Sequence, residues 1–131
     1  MSQSEGTSTT ATAVVNIVQY ILVRGDLISK LEWPLGAVVA QACHASSASI
    51  HLFYEDPITQ SYLQDLDNMH KVILEVPDEQ ELLAVEKVLL SKEIKFKKWI
   101  EQPENYPTCI ALKPYVKTDV QKLLRKYKML K

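Results

Sequence analysis

Val14-Val-Asn-Ile-Val-Gln-Tyr-Ile-Leu-Val-Arg24, closed by Gly25-Asp26, is the stretch that decides the fold. It is rich in Val and Ile and free of Gly and Pro until that closing pair, so it reads as a buried central strand. Downstream, Pro34 stands where a first helical residue is tolerated. The segment to about Tyr54 places Val38, Val39, Ala42, Ser46, Ser49, Ile50 and Phe53 on one face of a long helix, whose many small residues suit close packing on a sheet. The same spacing puts Gln41, His44 and Ser47 on the opposite face. Asp56-Pro57 reads as an N-cap and a first helical proline, opening a short second helix toward Asp65.

The remaining elements follow the same logic. Lys71-Val-Ile-Leu-Glu-Val76 is a second strand, stopped by Pro77. Asp78-x-x-Glu81 forms a capping box with Asp in the Ser/Thr place, and Leu82, Leu83, Val85, Val88 and Leu89 carry a helical stripe to about Lys92. Ile94, Phe96, Lys98 and Ile100 alternate with Lys95, Lys97 and Trp99, which gives a third strand with a mostly apolar face and a basic one. A turn from Gln102 to Pro107 leads to a fourth strand, Thr108 to Lys113, stopped by Pro114. A last amphipathic helix runs from about Thr118 to Met129 with Val120, Leu123, Leu124 and Tyr127 inward.

Helical links between the first three strands favour parallel neighbours, and the short third-to-fourth connection favours an antiparallel hairpin. The expected fold class is therefore α/β, a three-layer α/β/α arrangement with a mixed four-stranded sheet whose last strand is antiparallel. Ligands in such sheets bind beyond the C-terminal ends of the parallel strands. Here those ends are Arg24-Gly25-Asp26, Val76-Pro77-Asp78 and the loop after Glu101. Residues 1–13 are almost all Ser, Thr, Gln, Ala and Gly with a single charge, and they lack the apolar surface that offsets ordering entropy. The expected organisation is a disordered tail, 1–13, and one domain, 14–131.

Composition narrows the function classes. A chain of 131 residues with 47% hydrophobic content is long enough for one core and too short for two. Its glycines, Gly6, Gly25 and Gly36, cannot build a G-x-G-x-x-G dinucleotide turn or a Walker-type phosphate loop. Cys43 and Cys109 make neither a disulfide framework nor a C-x-x-C signature, and no H-E-x-x-H or H-x-x-x-H pair occurs, so no metal site is expected. No membrane span or secretory signal is legible, which gives the expectation of a cytoplasmic protein. The net charge of −1 conceals an asymmetry: residues 1–91 hold 4 basic and 12 acidic side chains, residues 92–131 hold 11 basic and 4 acidic. That basic C-terminal third is either a phosphate-contacting surface or a solvated helix face with a frayed tail.

Val23-Arg-Gly-Asp-Leu27 followed by Gly36-Ala-Val-Val-Ala-Gln-Ala-Cys-His-Ala45 resembles the type-2 peptidyl-tRNA hydrolase family, whose first strand and helix carry Arg-x-Asp-Leu and then Gly-Lys-x-Ala-Ala-Gln-x-x-His-Ala. Thr108-Cys-Ile-Ala-Leu-Lys-Pro114 is similar to the family's Thr-x-x-x-Ile-Gly-Pro strand. The run from Ile100 to Pro114 resembles in particular the divergent branch of peptidyl-tRNA hydrolase domain-containing proteins. The resemblance spans about residues 14–130. It implies a three-layer fold, no metal or other cofactor, and hydrolysis of the ester joining a peptide to the tRNA 3′ end, a step in translation quality control. The implied partner is peptidyl-tRNA or the tRNA acceptor end. Ala37 stands in the place of the family's lysine, the loop before it is about four residues longer, and the family's Asp-Ala-Gly-Arg-Thr motif is absent, with Glu101 to Asn105 in its neighbourhood.

Ester hydrolysis needs an activated water, a donor for the developing oxyanion, and a cation or helix N-terminus for nearby phosphate. Asp26, Gln41, His44 and Thr108 are the expected catalytic residues, and Arg24, Lys30, Lys95, Lys97 and Lys98 the expected RNA-contacting cations. Lys30 could return the missing cation and Glu101 or Glu104 the missing carboxylate. Each keeps a plainer reading: Asp26 as a loop cap, His44 as a packing histidine, Cys43 and Cys109 as inert core thiols. Trp33, Trp99 and Tyr106 could stack on an unpaired 3′ base, and Trp33 could equally pack at the helix entry. The other function classes left open are an RNA binder without hydrolysis and a protein-interaction module on the same scaffold.

Overall fold

The computed structural model describes residues 15–131, so the expected tail lies outside the described residues. In chain order the elements are β1 (Ile17–Arg24), α1 (Asp26–Ser29), α2 (Leu35–Leu52), α3 (Pro57–Gln64), a 3₁₀ turn (Leu66–Asn68), β2 (Lys71–Val76), α4 (Glu79–Ser91), β3 (Phe96–Glu101), β4 (Tyr106–Leu112), β5 (Tyr115–Val116) and α5 (Lys117–Leu124). The expected α/β class with a mixed sheet is found. The strand order is β2-β1-β4-β3. β1 and β2 are parallel from Gln19 opposite Lys71 to Arg24 opposite Val76, while β4 runs antiparallel to both β1 and β3.

Two details differ from the sequence expectation. β4 inserts between β1 and β3, so only β1 and β2 are parallel neighbours. β5, not foreseen, pairs antiparallel with the start of β1 through Ile17–Val116 and Val18–Tyr115. Alternation along β1 divides the core into two layers. Val18, Tyr20 and Leu22 join Leu82, Val85 and Leu89 of α4 and Val120 and Leu124 of α5 on one face. Ile21 and Val23 join Leu27, Val38, Ala45, Cys109 and Ala111 beneath α2 on the other. Buried on both faces, the central strand carries no charge before Arg24, as a three-layer sheet requires.

The helix starts follow their capping chemistry. Asp56 accepts from the amides of Ile58 and Thr59 (3.0 and 3.2 Å) with Pro57 next in line, as read from the sequence. Asp78 accepts from the Glu81 amide at 2.9 Å, but Glu81 does not return the bond, because its carboxylate meets the Tyr127 hydroxyl and Lys126 instead. α5 is shorter than its sequence pattern. After Leu124 the chain turns, and Lys128 to Leu130 lie against the free edge of β2, with Lys128 O accepting from Glu75 N and Leu130 N donating to Ile73 O. Covering that edge satisfies backbone groups a longer helix would have left to water.

Candidate active site at the β1 and β4 ends

The site is assembled where the C-terminal end of β1 meets the start of β4. Arg24 is buried, and its guanidinium forks onto Asp26 through Nε–Oδ1 (3.0 Å) and Nη2–Oδ2 (2.9 Å). Nη1 donates to the Pro107 carbonyl at 3.1 Å and reaches Glu79 of α4 at 3.4 Å, and the Tyr106 ring lies 5.8 Å from the guanidinium carbon. The Asp26 hydrogen bond raises the Arg24 pKa above its ordinary value, so the cation is permanent. Asp26 is thus more than a loop cap: it neutralises a buried cation that also grips the residue before Thr108.

Thr108 is fully buried, and its hydroxyl donates to Gln41 Oε1 of α2 at 2.8 Å. Strand alternation alone would not aim it there, because Cys109 and Ala111 already face α2 and Thr108 should share the face of Ile110. The register supplies the reason. Trp99 pairs with Cys109 and Ile100 with Pro107, which leaves Thr108 as an extra residue in a β-bulge that re-aims its side chain toward α2. The signal in the sequence is Pro107, which pairs with Ile100 of β3 one residue before Thr108, since a proline in a strand marks a bulge or an edge.

Gln41 corrects the helix-face reading. It is 1% exposed rather than opposite the packed stripe, and Val38, Gln41, Ala45, Ser46 and Ser49 form the buried face while Val39 is 53% exposed. With so many Ala and Ser in the helix, apolar weight does not fix its rotation; contact with β4 does. Gln41 Nε2 donates to the Ala37 carbonyl at 3.0 Å, which fixes the side chain and leaves one amide hydrogen uncommitted.

His44 is exposed and stacks on Trp99 of β3 with ring centroids 4.6 Å apart. The indole N–H donates to Glu101 at 2.9 Å. Trp99 and Glu101 therefore join the site, while Trp33 packs with the core beneath α2. The lysines are more dispersed. Lys98 pairs with Glu86 of α4 at 3.1 Å, whereas Lys97, its neighbour in β3, points to the opposite face, and Lys95 and Lys30 are exposed. The three β3-region lysines do not form one basic face. Cys109 is buried, its thiol pKa pushed up by burial, and Cys43 is exposed, so only the first is a core thiol. Among the described residues no three His, Cys, Asp or Glu side chains gather as a metal site, and no helix is long and apolar enough to cross a membrane.

The family model for peptidyl-tRNA hydrolase PTH2 matches residues 17–130. The chain belongs to the type-2 peptidyl-tRNA hydrolase family. Human and mouse proteins named "Putative peptidyl-tRNA hydrolase PTRHD1" are each 47% identical to it over 116 residues, 88% of this chain and 83% of the relative. In this PTH2 member the motifs of the sequence resemblance adjoin: Arg24, held by Asp26, is tied to Pro107, and Gln41 is tied to Thr108, the next residue along β4.

Proposed function

We propose that this protein hydrolyses the ester between a peptide and the 3′ end of tRNA, with Asp26, Gln41, His44 and Thr108 lining the reacting centre. The supporting observation is the buried Thr108–Gln41 hydrogen bond created by the β4 bulge. Thr108 gives its only proton to Gln41, so its oxygen is an acceptor able to orient an attacking water. The uncommitted Gln41 amide hydrogen is a pre-positioned donor for the oxyanion that forms at the ester carbonyl. Asp26 keeps lone pairs beyond those used by Arg24 and is the carboxylate assigned to take the proton from that water. The His44–Trp99 stack and exposed Tyr106 offer aromatic faces to the unpaired terminal bases. Lys30, Lys95, Lys97 and the Lys126 to Lys131 segment beyond β2 serve the phosphates; Lys98 contributes after exchange with Glu86, and Arg24 through its hold on the loop.

A second reading, binding of the acceptor end without hydrolysis, is favoured by one observation. Both oxygens of Asp26 are engaged by Arg24, and Ala37 brings no cation to the first turn of α2. The two readings separate on a defined peptidyl-tRNA. Release of free tRNA that depends on Thr108 and Gln41 supports hydrolysis. Salt-sensitive tRNA binding with release at the background rate supports the binder.

A further inference from the structure

α2 packs over β1, β4 and β3 and leaves the β2 side of that face uncovered. A groove of about 490 Å³ runs there, walled by Ile21, Val39, Ala42, Ile73 and Leu130, a volume typical of small-molecule sites. It flanks α2 on the side away from the His44–Trp99 stack, so it is separate from the centre proposed for hydrolysis.

One end of this apolar groove is charged. The Lys71 ammonium donates to Gln19 Oε1 at 2.6 Å, and the same oxygen accepts from the Ser46 hydroxyl at 2.7 Å. The Gln19 amide nitrogen donates to the carbonyls of Leu112 and Ser46, so fully buried Gln19 is saturated and fixed. It positions the ammonium but brings no charge to neutralise it. Among the described residues no Asp or Glu forms an ion pair with Lys71, whereas the buried cation Arg24 pairs with Asp26 and Glu79 and buried Lys113 with Asp56. Lys71 is exposed as a whole residue, yet its surroundings desolvate the ammonium enough to bring its pKa below the ordinary lysine value. The Tyr62 ring, 5.3 Å away, covers another side.

We propose that this groove binds a small amphiphile with an unbranched apolar body and a single carboxylate, the head on Lys71 beside Ser47 and the body along Ile21, Ile73 and Leu130. A phosphate head calls for several cations or a row of backbone N–H groups, and the groove offers one ammonium with the Ser46 and Ser47 hydroxyls and the Cys43 thiol around it. A small free anion would leave the apolar walls wet, and a neutral chain would forgo the charge-assisted hydrogen bond that a carboxylate makes with the ammonium.

Decanoate, decan-1-ol and acetate are titrated calorimetrically into the full chain, and the decanoate contacts are mapped by amide chemical shifts. Decanoate is expected to bind one to one, about tenfold or more tighter than decan-1-ol, with acetate silent. Its shifts centre on Ser47, Ile73 and Leu130. Lys71→Gln is expected to erase the preference for decanoate over decan-1-ol, and Ala42→Leu, which fills the groove, to abolish binding of both. Undetectable decanoate binding, equal binding to wild type and Lys71→Gln, or shifts centred elsewhere would overturn the assignment. The map on the wild-type chain decides the matter even if a variant fails to fold.

Discussion

Arg24 and Lys113 end β1 and its antiparallel neighbour β4, so the two cations mark opposite ends of the sheet. Their side chains are equally buried, at 6% exposure, and each is neutralised by an aspartate, Asp26 at 2.9 Å and Asp56 at 3.1 Å. The surroundings differ. Lys113 is sealed: it donates to the Pro114 carbonyl, sits 3.7 Å from the centre of the Tyr115 ring, and has a partner that also caps α3. Arg24 opens onto the surface through exposed Tyr106, partly exposed Glu79 and the bulge at Thr108. One chemistry, a buried cation with its carboxylate, closes the fold at one end and holds the groups of the proposed centre at the other. A buried ion pair is by itself no sign of a functional site; what its free side faces is the sign.

The hardest blow to that contrast comes from removing Asp56. Asp56→Ala leaves Lys113 buried without a counter-charge and uncaps α3, with an expected loss of about 3–5 kcal/mol by urea unfolding and unchanged ester hydrolysis per folded molecule. A loss under about 1 kcal/mol would show that the Lys113 end is not the sealing one.

At the open end the effect should fall on chemistry. Thr108→Val is expected to lower peptidyl-tRNA hydrolysis by about 10²–10³, or 2.7–4 kcal/mol of barrier, in a single-turnover assay. Its stability cost, from leaving Gln41 Oε1 unsatisfied, is expected at about 1–3 kcal/mol. Equal hydrolysis by both proteins would remove Thr108 from the mechanism.

Ala37→Lys sharpens the same comparison by adding a cation near the N-terminus of α2. Turnover is expected to rise about tenfold, equivalent to about 1.4 kcal/mol of barrier, with little change in melting temperature. If Lys30 already fills that role, Lys30→Ala instead abolishes activity. Three folded proteins with the same background release would leave only the binding reading.

The smallest effect is a titration. Burial pushes the Asp56 carboxyl up, but Lys113 and the amides of Thr59 and Ile58 outweigh it and hold its pKa below the ordinary aspartate value. A depressed folded-state pKa contributes stability that is present above the unfolded value near about 4 and lost as pH falls through the lower folded value. The stability gap between wild type and Asp56→Asn should therefore be full at pH 7 and shrink below about pH 4. A gap that stays constant into acid would mean the charge on Asp56 contributes nothing.

Local chemistry made much of this protein legible in its sequence. The β1 run, the Asp56-Pro57 start of α3, the Asp78 cap and the antiparallel β3–β4 hairpin follow from composition, capping and connection length, all of which act over a few residues. The Arg24-Gly-Asp26 and Gln41-x-x-His44 motifs pointed to the family. Tertiary structure alone decided that β4 lies between β1 and β3, that Thr108 turns out of its strand face to meet Gln41, and that Gln41 rather than Val39 is buried. It also drew Lys128 to Leu130 onto the β2 edge. The physical reason is common to all of these: a strand's neighbours, its bulges and the rotation of a helix of small residues are fixed by partners tens of residues away, and their pairing energies leave no period in the local sequence.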